Sequence, residues 1–256
     1  MAFTFLTAEW RKLIMAQYEV APEVLVPHVP PGLELDLYRD ADGQQRCYVS
    51  LVGFLFDRVR LLGVPVPFHT RFEEVNLRFY VRRPMPDTSP AGGHVIEHGY
   101  RRGVVFLSEI VPKPAITLIA RGLYGEAYST AATSHEWQIV PAAQMLQVGY
   151  AWEHRGEWQS MRVDASAAAQ AIVAGSVEEF ITEHYWGYTR RRGGGTAEYG
   201  VEHPQWASYG VRAAEIRCDF GALYGEAFAE LTSREPDHVL LAEGSPIKIR
   251  WGRTLP

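Results

Sequence analysis

Lysine is nearly absent from this 256-residue chain: Lys12, Lys113 and Lys248 stand beside 22 arginines within a Lys+Arg total of 25. Cysteine is rarer still, at two residues, Cys47 and Cys218, with no Cys-x-x-Cys spacing. That excludes a disulfide framework and a cysteine-based zinc site, and it fits a reducing cytosol. Long apolar runs are missing, so neither a membrane-spanning helix nor a signal peptide is expected. Excess positive charge is missing too. With a net charge of -5 the chain has no general attraction to nucleic acid or to an anionic membrane, and a cytoplasmic protein is expected. What is present is a 47% hydrophobic content with 21% charged residues, enough to bury a sizeable core in one domain spanning residues 1–256.

The first two-thirds read mainly as strands. Arg11–Val20 alternates, with Lys12, Ile14, Ala16 and Tyr18 on one side. Leu33–Tyr38 and Cys47–Phe56 flank the turn Asp40–Gly43, and Phe72–Arg83 is the clearest strand. His94–Val111 reads as a hairpin turning through Gly99–Gly103. After Pro112 the spacing of Ile116, Ile119, Ala120 and Leu123 predicts a helix ending at Gly125. Strands are expected again over Ala127–Gln138 and Gln144–Trp152, the latter pairing through Arg155-Gly156 with Trp158–Val163. Ser176 and Glu179 form a capping box that opens a helix with Val177, Phe180, Ile181, His184 and Tyr188 on its apolar face. Thr189–Gly195 reads as a flexible basic loop, Glu215–Phe220 as a strand, Ala222–Leu231 as a short helix and Ile247–Trp251 as a closing strand. Many short strands and few helices predict a mainly β (α+β) fold whose antiparallel sheet curls or closes.

Lys113 is the residue of most chemical interest. It comes after the apolar segment Gly103–Val111 and Pro112, at the start of the predicted helix. Arginine stays charged, whereas a desolvated lysine loses its proton and becomes a nucleophile. The helix dipole supplies at most about 2 kcal/mol of the ~5–6 kcal/mol needed to leave it neutral at pH 7. Burial must provide the rest; otherwise Lys113 is an ordinary surface lysine at a loop–helix junction. Glu109 shares a predicted strand face with Val105, Leu107 and Val111, and is either a functional carboxylate or an ion-pair partner of an arginine.

On the strand Phe72–Arg83, Glu73 ends the apolar face of Val75, Leu77, Phe79 and Val81. It either meets solvent or lines an internal cavity, where it would need a cation or a proton. The other face carries Glu74, Asn76, Arg78, Tyr80 and Arg82. It is either solvated or the lining of a ligand cavity, with Arg78 meeting an anion and Tyr80 a hydroxyl. His184 packs among aromatic neighbours. His94-x-x-Glu97-His98 matches a metal motif in letters only, because on a strand Glu97 points away from both histidines; no metal is expected. Neither a glycine-rich phosphate cradle nor a Gly-x-Ser-x-Gly elbow occurs, and no cofactor is expected.

Taken together, Phe5–Arg11, the Pro30-Pro31-Gly32 turn, Tyr48–Phe54, Glu73–Val81, Gly103–Phe106 with Glu109–Pro112, Ala120–Tyr124 and Glu183–Tyr188 resemble the DUF2071 family of uncharacterised bacterial proteins. More remotely, the chain is similar to acetoacetate decarboxylase. That resemblance implies a cone-like antiparallel β-barrel around a pocket, with a few peripheral helices and a Schiff-base lysine in a Glu-…-Pro-Lys-Lys segment. Glu109, Pro112 and Lys113 match its glutamate, proline and first lysine, and Glu73 a pocket glutamate. The second lysine, whose charge lowers the pKa of the first, is replaced by Pro114. The resemblance implies a lyase-type enzyme in which Lys113 forms an imine with a keto acid. Glu109 and Glu73 would orient groups or move protons. Arg78 or Arg121 would hold a carboxylate, with Tyr80, His184 and Trp186 also at the substrate. The alternative is a non-catalytic protein that encloses an apolar or acidic metabolite behind aromatics such as Trp186, Tyr188 and Trp206. Either way the partner is a small molecule; homo-oligomerisation is left open.

Overall fold

Period-two alternation produces long strands whose two faces are both covered. The structure, a computed structural model, describes residues 3–85, 99–123, 127–191 and 193–255, without side chains for 119–123. The His94-x-x-Glu97-His98 stretch therefore lies outside the described residues. Leaving aside two-residue strands, four come first: β1 (Thr4–Glu19), β2 (Tyr48–Leu61), β3 (Phe72–Pro84) and β4 (Tyr100–Val111). After them come β5 (Tyr128–Thr130), β6 (Thr133–Val140), β7 (Met145–His154) and β8 (Glu157–Ala171). The last four are β9 (Trp186–Arg190), β10 (Thr196–Glu202), β11 (Ala207–Arg217) and β12 (His238–Arg250). The helices are α1 (Pro22–Leu25), α2 (Pro114–Leu123), α3 (Val177–Thr182) and α4 (Phe220–Tyr224).

A ring of 7 strands closes in the order β1-β2-β3-β4-β9-β10-β12, with β12 returning to β1. The closing contacts are Val201↔Ile249 and Glu202↔Lys248. Most pairings are antiparallel, but β4 runs parallel to both β9 and β5. The other end of β12 pairs with β11 at Ser208↔Ala242 and Tyr209↔Leu241, and so carries the outer sheet β6-β7-β8-β11. That sheet packs on the outside of the ring. Val75, Leu77 and Phe79 of β3 share one buried cluster with Val148, Trp152 and Met161. The approach is close at Gly53 of β2, where a Cβ would lie 2.6 Å from Met161 Sδ.

Two irregularities change which side chains face inward. A register shift between Leu77↔Ser108 and Arg78↔Phe106 leaves Leu107 of β4 without an opposite residue, a β-bulge. A second shift lies between Arg11 and Ile14 of β1, where Lys12 has φ 51°. Because a slip of one residue reverses the faces, Glu109 lies with Val104 and Phe106, not with Val105 and Leu107 as alternation predicts.

The predicted N-cap at Ser176 forms, with Glu179 N donating to Ser176 Oγ at 3.2 Å, while the Glu179 carboxylate accepts from Gly175 N at 2.7 Å instead of from Ser176 N. The helix it opens stops at Thr182, however, and Tyr188 lies on β9. A strand wins there because Trp186 and Gly187 pair with Gly103 and Val104. A Cβ on Gly187 would sit 2.1 Å from the Tyr199 ring, and one on Gly103 would sit 2.4 Å from Trp186 O. Of the predicted basic loop, Thr189 and Arg190 belong to β9 and Gly193–Gly195 form a turn. Arg190 Nη2 donates to Val29 O at 2.6 Å and Arg191 to Thr254 Oγ1.

Glu198 of β10 fastens the ring near its seam. Its side chain is 0% exposed and accepts from Arg83 at 2.8 Å, Arg101 at 3.2 Å and Arg253 at 2.7 Å. The ends of β3, β4 and the C-terminal segment therefore converge on one buried carboxylate. Glu198→Ala leaves three cations around an apolar methyl group, and removing one partner of a buried ion pair costs about 3–5 kcal/mol. Urea unfolding monitored by tryptophan fluorescence is expected to show that loss. A change below about 1 kcal/mol, typical of an exposed pair, would mean the cluster is solvated.

Candidate active site

Every strand of the ring contributes to one internal cavity: Trp10 of β1, Phe56 of β2, Glu74 and Arg78 of β3, Glu109 of β4, Trp186 of β9, Tyr199 of β10 and Ile249 of β12. Its volume is about 50 Å³, room for a few water molecules or a small polar group. The even-numbered face of β3 is thus its floor, and the bulge at Leu107 brings Glu109 to it. Among the described lining residues Arg78 is the only lysine or arginine.

Glu74 is 3% exposed. Its carboxyl accepts from Asn76 Nδ2 at 3.0 Å and from the Tyr128 hydroxyl at 3.0 Å. Burial pushes its pKa up to about 7, against the pull of those two donors and of the Arg78 charge. Near neutral pH Glu74 can therefore give or take a proton. Glu109, 1% exposed, is paired opposite Asn76 in the ladder. The Arg78 guanidinium is buried beside them, and its Nε has no hydrogen-bond partner among the described residues.

His184 lies just beyond α3, with its ring on the cavity wall. Nε2 is 3.1 Å from Asp36 Oδ2, which also accepts from Arg102 Nε at 2.6 Å. Burial, with the Arg102 charge, lowers the histidine pKa to about 4, so the ring is neutral at pH 7. Burial would raise Asp36, but the hydrogen bond from His184 and the Arg102 charge outweigh it and lower that carboxyl to about 2. A neutral ring that donates Nε2–H to Asp36 has Nδ1 as its acceptor, and Nδ1 is buried without a partner among the described residues. His203 closes another side, stacked on Trp206 at 4.5 Å and tilted against Tyr185 at 4.6 Å. Burial lowers its pKa to about 4 as well.

The other predicted site residues fall differently. Trp186 lines the cavity, with the Arg101 guanidinium 4.4 Å above its ring. Tyr80 lies one step further along the same face. Its hydroxyl is 2.6 Å from Ser50 Oγ and its ring packs on His184 at 4.7 Å, so it supports the histidine. Glu73 points to the opposite face, where Thr133 Oγ1 donates to it at 2.7 Å and His135 Nδ1 lies 2.5 Å away. Burial acts to raise its pKa, but those partners bring it down to about 2. Lys113 is half-buried at the end of β4 and lines neither this cavity nor its neighbour. Its carbonyl accepts from Ile116 N and Thr117 N, which starts α2. Arg121 lies on α2, but its side chain is outside the described residues. Sequence reasoning put Glu74 on the right face yet passed over it, and passed over Asp36 and Tyr128. For Glu74 the signal was there: it is the carboxylate on the face that carries Arg78.

The titration of Glu74 has a stability signature. A carboxyl held above its ordinary 4.5 in the folded chain favours folding fully below that value and loses this contribution as pH rises through about 7. Wild-type stability is therefore expected to fall between pH 5 and pH 8 by a component that Glu74→Gln removes. Urea titrations across that range check it; identical slopes for the two proteins would place the Glu74 pKa near its ordinary value.

The sequence matches the family DUF2071, described as an uncharacterized conserved protein, over residues 7–246. No curated protein matches it. An acetoacetate decarboxylase from Legionella pneumophila superposes with TM-score 0.63 at 11% identity, covering 98% of this chain and 87% of that one. An acetoacetate decarboxylase-like enzyme from Sphingomonas wittichii gives 0.62 at 15% identity, with 98% and 92% covered. An enduracididine biosynthesis enzyme, solved with the condensation product of pyruvate and imidazole 4-carboxaldehyde, gives 0.61 at 12% identity, with 97% and 88% covered. At such identities the likeness establishes a shared fold.

Proposed function

Because this chain belongs to the DUF2071 family and carries the fold of acetoacetate decarboxylase-like enzymes, we propose that its barrel interior binds a small keto acid and moves protons on it. The observation that carries this reading is a buried carboxyl with pKa about 7 beside a buried guanidinium in an enclosed cavity. Arg78 holds the carboxylate of the substrate by a charge-assisted hydrogen bond from its free Nε–H. Glu74 gives or takes the proton at carbon, with a pKa matched to neutral pH. His184 Nδ1 accepts a hydrogen bond from a hydroxyl or enol, its tautomer fixed by Asp36. Glu109 supplies the second carboxylate.

Imine chemistry at Lys113 extends this reading. The neutral amine would add to the carbonyl, take up one proton and lose water, giving an iminium; hydrolysis at the end of the cycle returns that proton. Loss of carbon dioxide from a 3-oxo acid would then leave the electron pair in an enamine. Glu74 would protonate its carbon, and water would release the ketone and the amine. Lys113 lies two residues beyond Val111, which is buried in the same cluster as Phe106 and Tyr128, and two before Ala115, which lines an adjoining cavity. Its absence from the lining of the polar cavity favours the second reading, a binding protein without turnover.

Imine chemistry predicts that incubation with acetoacetate or pyruvate and borohydride leaves a reduced adduct on Lys113 by peptide mass mapping, and none in Lys113→Met. Glu74→Gln is expected to lower carbon dioxide release from acetoacetate about 10²- to 10⁴-fold. Arg78→Lys keeps the charge but loses the planar fork, and its effect should appear mainly in KM. Binding that Lys113→Met leaves unchanged, with neither adduct nor carbon dioxide, identifies the binding protein instead.

A further inference from the structure

A second cavity, of about 160 Å³, adjoins the polar one. Its walls are almost wholly apolar, built by Leu6, Val59, Leu61, Phe72 and Ile116 among others. Phe56, Glu74, Tyr128, Tyr199 and Ile249 line both cavities, so the two share a wall that contains the Glu74–Tyr128 hydrogen bond. The outer rim is formed by Val66 and His69 on one side and by Ala115 and Ile116 at the start of α2 on the other.

Building on the carboxylate reading above, we infer that the natural ligand is amphipathic: its carboxylate lies at Arg78, and an aliphatic or aryl tail passes the Glu74–Tyr128 pair into the apolar chamber. A two- or three-carbon acid would be accommodated by the polar cavity alone and would leave the larger chamber unused. Apolar voids of this kind stay dry and lose packing contacts along their walls, so one next to a buried charge site is best accounted for as space for a ligand. The wall is also chemically sorted. Arg78 and Glu109 line only the polar cavity, while Leu6, Val59, Leu61 and Ile116 line only the other. A ligand polar at one end and apolar along its length matches that sorting. Glu74 stands at the boundary, next to the first carbons beyond the head group, where a proton-transferring carboxyl has its use.

The test is a calorimetric series of saturated monocarboxylates from acetate to octanoate, with hexanol as a probe that has the tail but no charge. Affinity is expected to rise about fourfold per added methylene beyond butyrate, the fold-change for ~0.8 kcal/mol per buried CH₂. Val66→Trp, in the loop at the rim, and Val59→Trp, in the chamber wall, are each expected to flatten that rise. Hexanol is expected to bind far more weakly than hexanoate. Acids that bind with Arg78 dependence but equal affinity at every length overturn the tail assignment and leave the carboxylate reading intact. Hexanol binding as well as hexanoate overturns the carboxylate head. Failure of every acid to bind overturns both.

Discussion

A carboxylate taken out of water must be compensated by charge or by donated hydrogen bonds, and the interior of the seven-stranded ring compensates Glu74 only in part. Asn76 and Tyr128 donate to it and Arg78 lies close enough to act on it, yet burial still keeps its pKa near 7. The chemistry proposed for the cavity depends on that imbalance, and the imbalance depends on the ring being closed. Closure is completed by short contacts between β10 and β12, backed by the buried Glu198 with its three arginines. β12 serves both halves of the molecule, since one end seals the ring and the other carries the outer sheet. That outer sheet keeps solvent from the odd-numbered face of β3 and leaves the even-numbered face to the cavity.

Single residues in the backbone decide what the cavity contains. Without the unpaired Leu107, strand alternation would turn Glu109 outward, toward the layer that holds Val105 and Leu77. With it, the floor gains a second carboxylate. His184 arrives by another route: α3 ends at Thr182, and the chain must reach its pairing with Gly103 by Trp186. The few residues between carry the imidazole to the wall, where Asp36 sets its tautomer, and burial with the nearby Arg102 charge keeps it neutral.

Much of the fold is legible in the chain, because alternation and capping are local. Phe72–Arg83 reads directly as a strand with one apolar and one polar face, and Ser176 with Glu179 reads directly as a helix start; both are observed. The strand pairing through Arg155-Gly156 is likewise a local turn signal and is present between β7 and β8. The site was less legible. Arg78, His184 and Trp186 were marked, and the cavity brings them together with Glu109. Glu73 was preferred to its neighbour because an acid on an apolar face looks anomalous, whereas His135 and Thr133 explain it by local pairing.

Sequence alone determined the strand periodicity, the scarcity of lysine and the family. Tertiary structure decided which face of β3 lines the cavity, which way Glu109 points, and that Glu74 holds its proton near neutrality. The reason is physical. Side-chain alternation is a property of neighbouring residues, but a bulge exists only relative to the partner strand, and desolvation exists only once strands far apart in the chain have closed around the group.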